Sequence, residues 1–346
     1  MTNMVASLVR GLSFRNASAL WVLAVIMLVF STTIPGTFLA PRTWSSLLDT
    51  QAIVAITSVA LIVPLSAGVF NLAIGTQVGV ASILVGWLLV PAGSPIAIAI
   101  VVTLLCSAAI GFLIAMLIVG LGIDSFIATL GASSLLLALV TFISGGRQIL
   151  GMPRAFSDFG TDKIFGLTHP FLVMLALGVV VWYVLERTPL GRQIYATGGN
   201  LEAARLSGVP VVAIVLGSMT ACGFLIGVAG ILMTSRLGNA DPTIGPGFML
   251  PAFTAAFLGS TQFHRGRFNV GGTILSVYVL AAGIKGLQLS GVPTWVTDGF
   301  NGAALLIAVG LASARNSATT SLWRRLFRQK RTASQIEAEN PRTLKT

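Results

Sequence analysis

Charge is what this sequence has least of. Only 9% of its 346 residues are Asp, Glu, Lys or Arg, against roughly a quarter in an average soluble domain. The charged shell that water demands around a folded core therefore cannot be built, which excludes an ordinary soluble fold. Cysteine is nearly absent: Cys106 and Cys222 both lie in apolar runs, where a thiol packs as a small hydrophobe, and they make no disulfide framework. Histidine is limited to His169 and His264 at segment ends, where they read as interfacial residues; paired imidazole ligands of the H-E-x-x-H kind are missing. No G-x-x-x-x-G-K-[ST] run exists to cradle nucleotide phosphates. No G-x-S-x-G exists to present a serine nucleophile. The chain is expected to be no enzyme and to bind no metal or other cofactor itself.

The few charges are lopsided. Lys and Arg number 21 against 10 acids, a formal net charge of +11. A nucleic-acid face would need basic residues interleaved with exposed aromatics on a soluble fold. Instead eight of the 21 basic residues fall between Arg315 and Lys345, which fits topology setting and an anionic membrane surface; no nucleic-acid partner is expected. The scarcity of acids also speaks against an ion-coupled carrier, which keeps ionisable groups within its spans.

What is abundant is oil. Hydrophobic residues make up 55% of the chain. They gather in stretches at about 17–39, 48–68, 70–90, 96–119, 125–144, 169–186, 210–233, 248–261, 268–288 and 294–313, near the length of about 20 residues that a helix needs to cross a bilayer. The first stretch resembles a signal sequence but is too long and lacks a small-x-small cleavage site, so it counts as a span. The stretch at 248–261 is short enough to be re-entrant or tilted. The expected fold is all-α: a polytopic integral membrane helix bundle of about ten transmembrane helices. With an even number of spans both termini share a side. That side holds Arg10, Arg15, Arg187, Arg192, Arg205, Arg265, Arg267 and the basic tail. The other holds only Arg42, Arg147, Arg154, Lys163, Arg236 and Lys285. The richer side, with both termini, is cytoplasmic.

Residues 1–314 then form the transmembrane domain and 315–346 a basic cytoplasmic tail, expected to be partly disordered. Residues 144–169 form an extracytoplasmic loop and 188–210 a cytoplasmic loop that is long for a simple connection. Glycines spaced at four, Gly75 with Gly79 and Gly223 with Gly227, let helix backbones approach closely. Chain breaks at Pro64 with Gly68, and at Gly245-Pro246-Gly247, fall at membrane depth, where freed backbone groups need protein or a water-filled cavity to satisfy them. Polar side chains in apolar surroundings are Asn71, Thr76 and Gln77 on the third span, Ser133 and Ser134 on the fifth, Thr254 on the eighth and Asn301 on the tenth. They either tie helices together or line an uncharged pathway. Thr294 or Asp298 is suited to cap the last span, and Lys285 to snorkel to the headgroups.

The cytoplasmic loop is more specific. Its residues TPLGRQIYATGGNLEAARLSGV, from Thr188 to Val209, closely resemble the permease subunits of monosaccharide ABC importers of the ribose type. The likeness continues in FNLAIGT (Phe70–Thr76), DSFIATLGASSLLLALVTFISGGRQI (Asp124–Ile149) and FLGSTQFHRGRFNVGGTILSVYVL (Phe257–Leu280), in order along nearly the whole chain. The resemblance implies a permease in the bacterial inner membrane, paired as a homodimer or with a related permease. ATP and Mg would be held by a separate ATPase subunit, and an extracytoplasmic sugar-binding protein would deliver the solute. It also implies a coupling helix in the loop, with Gly199, Asn200, Glu202, Ala203, Ala204, Arg205 and Gly208 forming the ATPase contact. The E-A-A-x-x-x-G spacing is shared with another importer class whose downstream I-x-L-P this chain lacks. Ribose-type permeases often carry an aspartate where this chain has Asn71, so a neutral amide replaces a charge. A branched-chain amino-acid permease of related architecture and an ion-coupled secondary transporter are the alternative readings.

Overall fold

The computed structural model describes residues 18–316 apart from 165, 264 and 265. Arg10, Arg15, His264, Arg265 and the tail from 317 onward, together with the side chains of Thr294 and Asp298, lie outside the described residues. Helices α1 (Ser18–Thr33), α2 (Pro35–Phe38), α3 (Pro41–Ser66), α4 (Ile74–Leu89), α5 (Ile96–Gly120) and α6 (Ser125–Ser144) form the first half. A strand β1 (Ile149–Leu150), helix α7 (Arg154–Thr161) and a hairpin of β2 (Lys163–Ile164) with β3 (Leu167–Thr168) follow. Then come α8 (His169–Arg187), α9 (Pro189–Gly199), α10 (Leu201–Leu206) and α11 (Val211–Leu237). The chain continues with β4 (Asn239–Ala240), a 3-10 turn at Gly245–Phe248, α12 (Met249–Ser260), α13 (Val270–Leu289) and α14 (Thr294–Asn316).

Each expected apolar stretch folds largely as helix, and among the described residues six helices, α3, α5, α6, α8, α11 and α13, are long and apolar enough to cross a bilayer. The apolar parts of α1 (Val22–Thr33) and α4 are shorter. Helix α12 has 12 residues and so rises about 18 Å, short of the roughly 30 Å hydrocarbon layer. Two departures from the hydropathy reading move polar residues. Helix α3 starts at Pro41 rather than near 48, because proline at the first helical position gives up an amide that would be unpaired anyway, and Arg42, Ser45 and Asp49 ride on the same helix. Asn71 falls in the turn before α4, not within it.

The ends follow local chemistry. Asp124 caps α6 by accepting from the Phe126 amide at 2.9 Å, and Asn269 caps α13 through the Gly272 amide at 2.7 Å. Pro64 ends α3 within two residues, and the chain turns away through Gly68 at φ +81°, a left-handed conformation that suits glycine.

Helix α11 occupies the centre, against α3, α4 and α5. Small residues set that approach. A Cβ on Gly111 of α5 would fall 2.3 Å from the Met219 carbonyl oxygen, and one on Gly223 of α11 the same distance from that of Ser107. The backbones are therefore nearly in contact, the packing mode that serves where lipid removes any hydrophobic driving force between helices. The paired stretches α12 and α13 repeat the device at Gly259 and Gly272. Helices α3 and α13 are largely buried, whereas α5, α6 and α8 have most of their apolar length half-buried or exposed. Leu135 and Phe142 of α6 are 74% and 84% exposed, an arrangement stable only against lipid or another apolar protein surface.

Candidate coupling surface and polar cluster

The loop at 188–210 is two short helices at one end of the bundle. Thr188 opens α9 by accepting from the Gly191 amide at 3.4 Å, and Asn200 opens α10 by accepting from the Ala203 amide at 3.0 Å. Asn200 is thus a helix cap, and Gly208, at φ +79°, turns the chain into α11. The six residues of α10 divide by direction. Ala204 is buried against the bundle. Leu201 and Arg205, one turn apart, line a cavity of about 630 Å³ shared with Gly68, Ile118, Asp124 and Val215. Glu202 and Ala203 are exposed, and Leu206 is 88% exposed. An apolar side chain bare at a helix end beside a carboxylate is chemistry suited to a protein contact.

Helix α9 is attached tightly. A Cβ on Gly198 would fall 2.2 Å from the Ser66 carbonyl oxygen and 2.9 Å from the Gly68 nitrogen, so α9 rests on the turn that ends α3, while the neighbouring Gly199 faces open space. Tyr195 donates its hydroxyl to the Phe268 carbonyl at 2.6 Å, and its ring lies under Arg267, whose guanidinium carbon is 3.9 Å from the centroid. Burial pushes the Tyr195 phenol above its ordinary value, the carboxylate of Glu186 adding to the rise, so it stays a donor at neutral pH.

The turn from Gly68 leads directly to the polar residues. Asn71, fully buried, donates to Gln77 Oε1 at 3.1 Å and to the Cys222 sulfur at 3.6 Å, and its Oδ1 accepts from the Ala73 amide at 3.1 Å. Thr76 joins Ser133 of α6 at 3.2 Å. These five side chains form two neighbouring hydrogen-bonded groups among α4, α6 and α11, with Gln77 Nε2 buried and unpartnered. Ser134 is exposed, bonding back to the Leu130 carbonyl at 3.4 Å. Thr254 is buried and spends its hydroxyl on the Leu250 carbonyl at 2.8 Å; Asn301 is buried with Oδ1 unpartnered. Among the described residues no hydrogen bond joins Thr254 or Asn301 to either group. The second chain break lies against the helix that follows the first: a Cβ on Gly75 of α4 would meet the Gly245 carbonyl oxygen at 2.7 Å, and the reverse approach is equally close.

At the opposite end, the loop 144–169 and the segment 236–247 are paired. Strands β1 and β4 run antiparallel with Ile149 opposite Ala240. Gln148 donates to Asp241 Oδ2 at 2.7 Å, and Asp241 Oδ1 accepts from the Thr243 amide and hydroxyl at 2.8 and 2.7 Å. Those donors hold the Asp241 carboxyl below its usual range, the Thr243 amide contributing most. Nearby, Asp49 of α3 accepts from the Thr168 hydroxyl at 2.9 Å and pairs with Lys163 at 3.7 Å. Arg236 donates to Thr50 at 3.0 Å. Asp49, Tyr195 and Arg267 are the interacting residues that hydropathy and motif left out. A lone acid near the head of an oily run was the available signal for the first. The other two have no signal short of the tertiary contact.

A bundle of long apolar helices with buried uncharged polar groups and an ordered helix pair at one end is the architecture of a multi-pass membrane protein. Residues 43–309 match the family described as branched-chain amino acid transport system / permease component, and this chain belongs to it. It is 34% identical over 272 residues to the autoinducer 2 import system permease protein LsrD of Photorhabdus luminescens, covering 76% of this chain and 81% of that protein. It is 31% identical over 262 residues to the LsrD of Yersinia enterocolitica, covering 74% and 79%. No solved structure matches the chain.

Proposed function

We propose that this chain is the permease subunit of an ATP-binding cassette importer that carries a sugar or sugar-like polyol across the cytoplasmic membrane. The observation that carries the reading is the helix pair α9–α10. It is ordered against the bundle through Gly198 and Ala204 while presenting Glu202 and Leu206 outward, in a chain whose relatives are named as import-system permeases. In this reading ten segments span the membrane, both termini and α9–α10 are cytoplasmic, and two permease copies share one pore. A separate ATPase pair binds ATP and Mg and closes; α10 transmits the closure; the spans alternate their opening between the two sides. Asn71, Thr76, Gln77, Ser133, Ser134, Thr254 and Asn301 supply uncharged hydrogen-bonding groups along the path. An extracytoplasmic binding protein, seated on the joined segments 144–169 and 236–247, supplies the affinity.

Proteoliposomes holding the permease, its ATPase and its binding protein test this. Uptake is expected to require ATP, and uptake along a proton gradient without the ATPase would overturn the reading. The paired change Glu202→Lys with Arg205→Glu is expected to leave membrane insertion intact and to abolish ATPase capture in a pull-down; normal capture would count against docking at α10. Because the family description names branched-chain amino acids, the binding protein is to be assayed against leucine, isoleucine and valine beside pentoses, hexoses and polyols. Retention of an amino acid alone would move the substrate to that class.

A further inference from the structure

Helix α9 is gripped from two sides by different halves of the molecule. Gly198 sits on the turn at the end of α3, with no room for one added carbon between it and the Ser66 carbonyl. One turn earlier Tyr195 points to the other half, giving its proton to the Phe268 carbonyl at 2.6 Å and its ring face to Arg267 at 3.9 Å. Both of these groups belong to the connection between α12 and α13, and that connection is internally tied. The Asn269 amide nitrogen donates to the carbonyls of Gly259, Gln262 and Arg267 at 3.1, 3.2 and 3.1 Å. Its oxygen caps α13. A displacement of Tyr195 is therefore handed to the ends of α12 and α13 together.

At their far ends the two routes meet again. Helix α12 runs out of the Gly245–Phe248 turn, which lies on Gly75 and Gly79 of α4, and α4 follows the turn on which Gly198 rests. A helix held only at Gly198 could pivot about that contact and move one half alone. A helix held at both points must move the two chain breaks in step.

We propose that Tyr195 is a positioning residue for energy coupling: it ties the motor-facing helix pair to the α12–α13 connection, so that one movement of α9 drives both halves of the permease. This rests on the importer reading above. Tyrosine fits the task because it offers a hydroxyl donor and a π face from one side chain. Phenylalanine keeps the face for the cation, and leucine keeps neither.

The test uses the full complex of permease, ATPase and binding protein in proteoliposomes, loaded with whichever pentose, hexose or polyol the binding protein retains. The readout is solute taken up per ATP hydrolysed, with ATPase capture measured alongside. Tyr195→Phe is expected to lower that ratio by about fivefold, the factor carried by one ordinary net hydrogen bond. Tyr195→Leu is expected to lower it by about tenfold or more, and Arg267→Gln by roughly threefold, as the cation–π contact goes. In each case ATPase capture and hydrolysis persist, which a merely damaged fold would not allow. Should Tyr195→Leu fail to assemble, Tyr195→Phe and Arg267→Gln, which leave the apolar packing in place, decide the matter. A wild-type ratio in both overturns the role of Tyr195, while absence of ATP-driven uptake in the wild-type complex overturns the importer reading and this inference with it.

Discussion

Two adjacent glycines in α9 offer a sharp comparison. A methyl group added at Gly198 would lie 2.2 Å from the Ser66 carbonyl oxygen, 2.9 Å from the Gly68 nitrogen and 3.0 Å from the Ser66 carbonyl carbon, whereas at Gly199 nothing stands within 4 Å. The obstructing atoms are backbone, so no rotamer change relieves the clash; α9 or the end of α3 must move by about an ångström. Forced overpacking of this kind costs about 1–3 kcal/mol. Against it stands the gain from replacing glycine by alanine in a helix, about 0.5–1 kcal/mol. Gly198→Ala should therefore be destabilising by about 0–2.5 kcal/mol, and Gly199→Ala neutral or stabilising by up to about 1 kcal/mol, less if its place at the helix end weakens the gain. The assay is thermal unfolding of each purified permease in one detergent, with ATPase capture and uptake per ATP measured on the same preparations. Opposite signs in melting temperature, and coupling lost in Gly198→Ala alone, are expected. Equal behaviour of the two variants would refute the packing of α9 on the α3 turn.

Two further predictions concern the polar groups. Asn71→Leu newly strands the Ala73 amide and the Gln77 Oε1 in a buried site, at about 1–3 kcal/mol for each unpaired group. Asn71→Asp keeps the Ala73 contact and, with the Gln77 amide turned over, gives the now unpartnered Nε2 an acceptor. The leucine variant is expected to lose monodispersity on gel filtration in detergent and the aspartate variant to keep it; equal loss in both would contradict the pairing. For Asp241, the folded carboxyl lies below its unfolded value, so its contribution is complete above the unfolded range and disappears as pH falls through the folded value. Hydrogen exchange of residues 239–243 should stay constant from pH 8 to 5, after correction for intrinsic rates, and rise only below about pH 4. A rise centred near pH 6 would point to another group.

The helices were legible because lipid writes its demand directly into composition. A span must be apolar along about 20 residues, and the limits of α5, α6 and α8 fall within a residue of the hydropathy reading. Where the demand came from elsewhere, hydropathy misplaced the boundary. The polar first turns of α3 belong to a helix because Pro41 can start one, and Asp49 is tolerated on it because Thr168 and Lys163, over a hundred residues away, supply its partners. Asn71 was recognised as polar in apolar surroundings. That it stands in a turn, facing Gln77 and Cys222, depends on the crossing of α4 with α11.

The same distinction runs through the coupling surface. Glu202, Ala204 and Gly208 were named through the family resemblance of one short stretch, within which the cap at Asn200, the exposed acid at Glu202 and the left-handed glycine at Gly208 are local features. Tyr195 could not, because nothing in its neighbours names Arg267 or Phe268; the pairing exists only once α9 is folded across the bundle end. In the proposed importer, local chemistry identifies where a partner would push, while long-range contacts decide what the push would move. In this chain the long-range contacts converge on the two breaks, Pro64–Gly68 and Gly245–Phe248, where a helix without continuous backbone bonding bends at least cost. In the proposed importer, a motor contact that rests on one break and is tied through Tyr195 to the helix leaving the other would place the compliant points in the path of the force, with rigid spans on either side of them.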